Sequence, residues 1–179
     1  MCQRSLLILL LIDVLAVSLA FCSLQGCGYY LGHRASMGVP YSRVYVEKFY
    51  NASDEVGVEQ WLYSSILERF QETNAMGITN DKNNANVVLY GRIKEVRVRA
   101  VAFNRLDNVA EYRVILVIEA TLKNCDDNKV IWHDGFLTRF GDFLYNPNIL
   151  EAEQNRSRAI QHVCKVVATD VYDKTIHPF

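Results

Sequence analysis

Apolar and polar residues alternate in four stretches of the chain, which is the pattern of a half-buried β-strand. In the first stretch, residues 42–49, Val44 and Val46 alternate with Tyr45 and Glu47. Three longer stretches follow at 87–103, 112–122 and 130–140, separated by Asn-containing turns at 104–108 and 124–128. Long strands joined by short turns predict an antiparallel meander.

Two further stretches have the spacing of an amphipathic helix. In the first, apolar residues recur from Val58 to Phe70, Ser53 is the expected N-cap, and the helix is expected to end near residues 71–74. The second runs from 150 to 176 and ends before His177-Pro178. The element order β-α-β-β-β-α predicts an α+β two-layer sandwich, in which two helices pack on one face of a four-stranded, mostly antiparallel sheet.

The chain begins with a basic residue, Arg4, and a long apolar run, which together are typical of a secretory signal. The run ends in Leu24-Gln25-Gly26-Cys27, which resembles the lipobox of bacterial lipoproteins. The alternative is an uncleaved transmembrane helix, but Asp13 inside it would cost about 2.5–3.5 kcal/mol on insertion. We therefore expect a cleaved signal peptide at 1–26 and a lipid on Cys27.

Residues 27–40 contain several Gly and one Pro and are expected to form the lipidated tether. A single domain should then occupy 41–179. Gly28 follows the lipidated cysteine, and a residue other than Asp there favours the outer membrane. The chain should thus be a lipid-anchored protein on the periplasmic side of that membrane.

The formal net charge of −1 argues against a nucleic-acid partner, which would require a broad basic surface. Neither a catalytic constellation nor a metal motif is present, because the four histidines are scattered. His133 and Asp134 adjoin, but neighbours on a strand point to opposite faces. We expect no enzyme activity, metal or cofactor.

Cys125 and Cys164 could form a disulfide in the oxidising periplasm, or Cys164 could be a small core residue.

Basic residues are the one functional hint that the residues themselves offer. Arg92, Lys94, Arg97 and Arg99 lie on one strand, Arg105 lies in the following turn, and Arg113 on the returning strand. Strict alternation would place Arg92 and Lys94 on one face of the strand and Arg97 and Arg99 on the other. One face therefore holds all four residues only if a bulge intervenes. Gly91 marks either a bulge or a close approach. The alternative is a solvated face balanced by Glu95, Glu111 and Glu119.

Several segments together resemble the lipopolysaccharide-assembly lipoprotein LptE family, over essentially the whole chain after the signal peptide. The segments are Cys27-Gly28-Tyr29-Tyr30-Leu31, Val101-Ala102-Phe103, Val109-Ala110-Glu111-Tyr112-Arg113, Glu119-Ala120-Thr121-Leu122, Trp132 and Asn146-Pro147. The resemblance implies a non-enzymatic plug inside the β-barrel of the partner LptD, which helps the barrel assemble and passes lipopolysaccharide to the outer leaflet.

The resemblance also implies a lipopolysaccharide contact at the central hairpin turn, where this chain has Arg105. A second basic position of the family corresponds to Glu153 here, and Arg156 or Arg158 could substitute for it. Ile115 and Val117 interrupt a polar strand face and could contact acyl chains or the barrel wall, or pack against the second helix. The alternative function is a stand-alone structural envelope lipoprotein that does not contact lipopolysaccharide.

Overall fold

The computed structural model describes residues 41–177, so the expected signal peptide, the lipidated Cys27 and the tether lie outside the described residues. Six strands and two α-helices follow one another along these residues. They are β1 (Arg43–Val46), β2 (Tyr50–Asn51), α1 (Val58–Thr73), β3 (Gly77–Ile78), β4 (Val87–Phe103), β5 (Val109–Asn124), β6 (Val130–Leu144) and α2 (Ile149–Ile176), with a short 3₁₀ helix at Lys82–Asn84 before β4.

The sheet has six strands rather than the four that we expected. Its main path runs β3-β1-β4-β5-β6, and β2 pairs with β4 beside β1. The two additional strands, β2 and β3, have two residues each, which is too short for alternation to produce a pattern in the sequence. The α+β class and the antiparallel β4-β5-β6 meander are as predicted. Strand β1 pairs in parallel with β4, and so does β2.

The prediction that Ser53 caps the first helix is wrong. Helix α1 begins at Val58, after Gly57 with a φ of 86°, a left-handed conformation that glycine adopts without steric cost. The Ser53 hydroxyl instead donates to the side-chain oxygen of Asn51, within the turn that precedes the helix. The start of α2 does have a side-chain cap, since the Asn148 side chain accepts from the backbone N–H groups of Leu150 and Glu151.

Both helices pack on one face of the sheet. That face presents the fully buried side chains of Leu116 and Ile118, which join Val163 and Val167 of α2 in one apolar core. Two ion pairs also connect α2 to β6 on this face: Arg139 Nε lies 2.6 Å from Asp170, and Lys174 Nζ lies 3.2 Å from Asp134. Neither described helix is long and apolar enough to span a bilayer.

Cys125 and Cys164 are both free thiols, so the disulfide that we considered does not form in this structure. Cys164 is fully buried in the core, in accordance with the alternative prediction. Burial raises the pKa of the Cys164 thiol to about 12, which keeps it protonated and unreactive.

Candidate functional site

A bulge in β4 decides which face its basic residues occupy. The pairing of β4 with β5 shifts register between Ile93 and Glu95, so one extra residue, Lys94, is inserted there. As a result Arg92 pairs with Glu119, whereas Arg97 pairs with Ile115 and Arg99 with Arg113. All of these β5 partners are odd-numbered and point away from the helices, because the even-numbered Val114, Leu116 and Ile118 are buried in the core.

The bulge that our sequence argument required is therefore present. We call the side chains that it assembles the basic face: Arg92, Lys94, Arg97, Arg99 and Arg113. None of the described elements covers this face, because α1 and α2 both lie on the opposite face of the sheet. Gly91 is the close approach rather than the bulge, since a Cβ there would lie 2.1 Å from the carbonyl oxygen of Glu119.

Carboxylates neutralise much of the basic face. Glu119 lies 3.2 Å from Lys94 and 3.6 Å from Arg92. Glu95 lies 2.5 Å from Arg97, and Asp142 lies 2.6 Å from Arg113. Among residues 41–177, Arg99 makes neither an ion pair nor a side-chain hydrogen bond. The expectation that carboxylates balance the charge of this face is correct for Glu95 and Glu119. Arg113 pairs with Asp142 and not with Glu111.

Two of these contacts shift the pKa values of Asp142, Arg113 and Glu119. Two parallel hydrogen bonds from Arg113 lower the pKa of the Asp142 carboxyl and raise that of the guanidinium. The hydrogen bond from Lys94 likewise lowers the pKa of Glu119, and Arg92 adds to the effect. Asp142 and Glu119 are therefore ionised down to acidic pH, and their pairs persist across the physiological range.

Two phenylalanines of β6 complete the face, and our sequence analysis did not single them out. The Lys94 ammonium lies 3.9 Å from the centre of the Phe136 ring, and the Arg113 guanidinium lies 4.1 Å from that of Phe140. Both rings remain exposed, Phe136 to 75% and Phe140 to 55%. The spacing of four residues between Phe136 and Phe140 could have indicated that both rings lie on one face of the strand. Only the pairing with β5 shows that they contact Lys94 and Arg113.

Ile115 and Val117 lie on this same outer face, where Phe140 and Thr138 pair with them. They are partly exposed and belong to neither the core nor its margin. The alternative in which this pair packs against the second helix is therefore wrong. The outer face carries apolar and cationic groups side by side.

Arg105 is exposed in the β4-β5 turn, at the end of the sheet where β4 finishes. The Asn104 side chain holds the turn by accepting from the N–H groups of Leu106 and Asn108. Leu106 is 81% exposed, so the turn presents an apolar side chain beside the cation. The turn is at the edge of the basic face and not within it.

The other basic candidates lie on α2. Arg156 pairs with Glu55 and, at 3.3 Å, with Glu153, so its charge is already partnered. Arg158 is exposed and hydrogen-bonds to Asn155 at 2.9 Å. Both are on the helical layer, apart from the basic face.

His133 and Asp134 point to opposite faces of the sheet, as expected. His133 hydrogen-bonds to Thr121 on the outer face, and Asp134 pairs with Lys174 on the face that carries the helices.

A cleft of about 560 Å³ lies at the other end of the outer face. Its lining includes Tyr90, Cys125 and the ion pair of Lys82 with Glu47, whose atoms are 2.6 Å apart. The hydrogen bond to Glu47 raises the pKa of Lys82, and burial raises that of Cys125. Near neutral pH the lysine is therefore charged and the thiol protonated, so the cleft offers neither a free base nor an activated nucleophile. No group of three potential metal ligands occurs among residues 41–177.

The fold is similar to several solved lipoprotein structures. Rare lipoprotein B from Shewanella oneidensis has a TM-score of 0.54 at 16% identity, and the match covers 76% of this chain and 96% of that one. Lipoprotein B from Nitrosomonas europaea has a TM-score of 0.55 at 13% identity, covering 85% and 93%. A minor lipoprotein from Acinetobacter baumannii has a TM-score of 0.51 at 17% identity, covering 77% and 92%.

No curated protein sequence matches the chain. The family model for LptE, described as lipopolysaccharide-assembly, matches residues 41–175, which is the whole described domain apart from its last residues. This protein therefore belongs to the LptE family of lipopolysaccharide-assembly proteins.

Proposed function

We propose that this protein is an outer-membrane lipoprotein subunit of the lipopolysaccharide translocon. In this role it plugs an LptD-like β-barrel, helps the barrel assemble and binds lipopolysaccharide during insertion into the outer leaflet. Membership of a non-catalytic lipoprotein family supports this role. A lipid on Cys27 would hold the protein on the periplasmic side of the membrane.

The observation that carries the proposal is the basic face itself. Lipopolysaccharide carries clustered phosphates next to acyl chains, so a binding surface needs cations and apolar groups close together. The bulge at Lys94 places Arg97 and Arg99 on the same uncovered face as Ile115 and Phe140. Arginine suits phosphate because its planar fork donates two hydrogen bonds at once.

The existing ion pairs divide the cations into two groups. Arg113 is bound to Asp142 by two hydrogen bonds, so a phosphate would have to compete for it. Arg99 and Arg105 have no such competitor among the described residues and can each offer a complete guanidinium. We propose Arg99 and Arg105 as the principal phosphate contacts, with Arg92, Arg97 and Arg113 contributing charge.

The proposal is tested on the full chain, tagged and extracted from its native membranes in mild detergent. Co-purifying proteins are identified by mass, and purified lipopolysaccharide is then titrated into the isolated lipoprotein. We expect a large β-barrel in near-equal amount. We also expect the Arg99→Glu and Arg105→Glu variants each to bind lipopolysaccharide about tenfold more weakly, since charge-assisted hydrogen bonds contribute roughly 1.5–3 kcal/mol.

The matched control is Lys165→Glu, the same reversal of charge at an exposed position of α2 on the helical layer. Its lipopolysaccharide affinity should stay at the wild-type value. Equal losses in all three variants would indicate nonspecific attraction and would remove the basic face from consideration. Recovery of the lipoprotein without a barrel, and with no lipopolysaccharide binding, would favour a stand-alone structural envelope lipoprotein, a role consistent with the many ion pairs on this face.

A further inference from the structure

The cleft at the end of the outer face remote from Arg105 has a floor and two walls, and we call it the polar cleft. Its volume of about 560 Å³ lies within the range of small-ligand sites, roughly 300–1,000 Å³. Outward side chains of two paired strands form the floor, Val88 and Tyr90 of β4 and Lys123 of β5. The 3₁₀ helix forms one wall and the β5-β6 turn forms the other.

Both walls are held by hydrogen bonds that require no ligand. The Cys125 N–H donates to the Asn86 carbonyl at 2.8 Å, which connects the β5-β6 turn to the start of β4. At the start of the 3₁₀ helix, the Asp81 carboxylate accepts from the Asn83 N–H at 2.9 Å. A site that is ordered before its ligand arrives loses less conformational entropy on binding, so these bonds favour ligand binding in the cleft.

Several polar side chains of the polar cleft are available to a ligand. Among residues 41–177, five of them form neither a side-chain hydrogen bond nor an ion pair: Asn83, Tyr90, Lys123, Asp126 and Asn128. The two amides and the Tyr90 hydroxyl can donate and accept, whereas the Lys123 ammonium only donates and the Asp126 carboxylate only accepts. The cleft therefore presents hydrogen-bond donors and acceptors side by side.

The formal charges of the cleft cancel. Lys82 and Lys123 contribute two positive charges, and Glu47 and Asp126 contribute two negative charges. None of the described residues that line the cleft is an arginine, in contrast to the basic face. Phosphate binding is strongest where cations are in excess, so this balance favours an uncharged polar ligand.

A saccharide has the chemistry that fits this lining. Each sugar hydroxyl both donates and accepts a hydrogen bond, and the less polar face of a sugar ring can lie against an aromatic ring such as that of Tyr90. Ala85 and Val88 are the only aliphatic residues of the described lining, which is too little apolar surface for an acyl chain.

We propose that the polar cleft binds neutral sugar units of lipopolysaccharide, while Arg99 and Arg105 bind its phosphates. This inference rests on the proposed function, because it takes lipopolysaccharide as the ligand. Tyr90 and Arg99 lie on the same outer face of β4, roughly 30 Å apart at about 3.3 Å per residue. A saccharide chain of several units spans that distance, so one molecule can reach both sites.

The test uses the full chain in a zwitterionic detergent without a sugar head group, because a glycoside detergent would compete for the cleft. The probe is the oligosaccharide released from lipopolysaccharide by mild acid and then dephosphorylated, so that it carries neither acyl chains nor phosphate. We expect saturable binding in a ligand-observed NMR titration, and inorganic phosphate should not displace the probe. A lack of saturable binding, or displacement by phosphate, would overturn the proposal.

Two substitutions locate the binding in the cleft. Asn83→Ala and Tyr90→Leu should each weaken oligosaccharide binding about fivefold, because each removes a hydrogen-bonding group and the second also removes the ring. The matched controls are Asn108→Ala and Tyr145→Leu, the same replacements at exposed positions near the opposite end of the sheet. Both controls should bind as the wild type does. Losses of equal size in the controls, or no loss in the cleft variants, would overturn the proposal.

The same titrations separate this proposal from the proposed function. Arg99→Glu should leave binding of the phosphate-free oligosaccharide unchanged while it weakens binding of intact lipopolysaccharide. If the oligosaccharide fails to bind but intact lipopolysaccharide still depends on Arg99 and Arg105, the cleft proposal is overturned and the proposed function stands. If the oligosaccharide binds through Asn83 but neither arginine affects intact lipopolysaccharide, the saccharide site stands and the proposed phosphate contacts are overturned.

Discussion

The Arg113 and Asp142 side chains form the best-defined ion pair on the outer face. Their two hydrogen bonds are 2.6 and 2.7 Å long, and the guanidinium also covers the Phe140 ring. The pair connects β5 to β6 at directly opposed positions. Because the bonds favour the charged carboxylate, the pKa of Asp142 in the folded protein lies below its unfolded value.

A lowered carboxyl pKa makes stability depend on pH in a defined direction. The contribution of Asp142 is complete above its unfolded pKa, near pH 4, and is lost as the pH falls through the lower folded value. We expect Arg113→Met to return the pKa of Asp142 toward its ordinary value, measured by NMR titration of its carboxyl carbon. The variant should also lose less stability than the wild type between about pH 4 and pH 2.

The control for this measurement is Arg105→Met, which removes an exposed turn cation that has no ion-pair partner among the described residues. It should leave the titration of Asp142 unchanged. An unaltered pKa of Asp142 in Arg113→Met would show that the pair does not form in solution.

Strand β4 is irregular at several points in its seventeen residues: a close approach at Gly91, a bulge at Lys94 and further register shifts between Ala100 and Phe103. At Gly91 the strand passes so close to β5 and β1–β2 that a side chain would collide with Glu119 and with the ring of Phe49. Three residues later the bulge at Lys94 reverses the facing of the residues that follow as far as Ala100, where the register shifts again. The glycine allows the strand to pack, and the bulge assembles the basic face.

Gly91→Ala should destabilise the domain. Its Cβ would lie 2.1 Å from the Glu119 carbonyl oxygen and 2.6 Å from the Phe49 ring, so backbone must move. We expect the free energy of unfolding to fall by about 1–3 kcal/mol, measured by urea unfolding. The matched control is Gly135→Ala in β6, where the nearest atom to the added Cβ is Nε2 of the His133 side chain at 3.5 Å, an ordinary van der Waals distance. A loss of similar size in both variants would contradict this account of Gly91.

The domain is a sheet with a helical layer on one face only. From Val114 to Leu122 every second residue of β5 is buried against the helices, and most of the residues between them lie on the basic face or beside it. Adjacent residues of this part of β5 thus lie in different environments, one in the apolar core and the next on the outer face. Ile118 is fully buried, whereas its neighbour Val117 is partly exposed beside Thr138.

A pair of identical polar substitutions distinguishes the two faces. Ile118→Asn would leave an unsatisfied amide in the core, and we expect a loss of roughly 3–5 kcal/mol of unfolding free energy. Val117→Asn keeps its amide in solvent and should cost less than about 1 kcal/mol. Urea unfolding followed by the fluorescence of Trp61 and Trp132 compares the two directly. A large loss in both would mean that the outer face is buried by a part of the protein or by a partner.

Local patterns in the chain were sufficient to predict the long elements. Strand β4 has the predicted bounds, and α2 begins one residue before the predicted start and ends at Ile176, because both are long and their periodicity repeats many times. The turn around Arg105 and the burial of Cys164 were also predictable from neighbouring residues. Each of these features depends on interactions between residues that are close in sequence or on the apolarity of a single side chain.

Other features depend on residues that are distant in sequence and required the folded chain. The two-residue strands β2 and β3 exist because neighbouring backbone lies beside them, and the start of α1 at Val58 depends on the turn at Gly57. Alternation along the sequence could not decide whether Arg92, Arg97 and Arg99 share one face, since one inserted residue reverses the facing of the residues after it. Only the pairing with β5 locates that inserted residue at Lys94. For the same reason Phe136 and Phe140 meet the cations only after β6 pairs with β5, because contacts between strands follow from register and not from spacing along the chain.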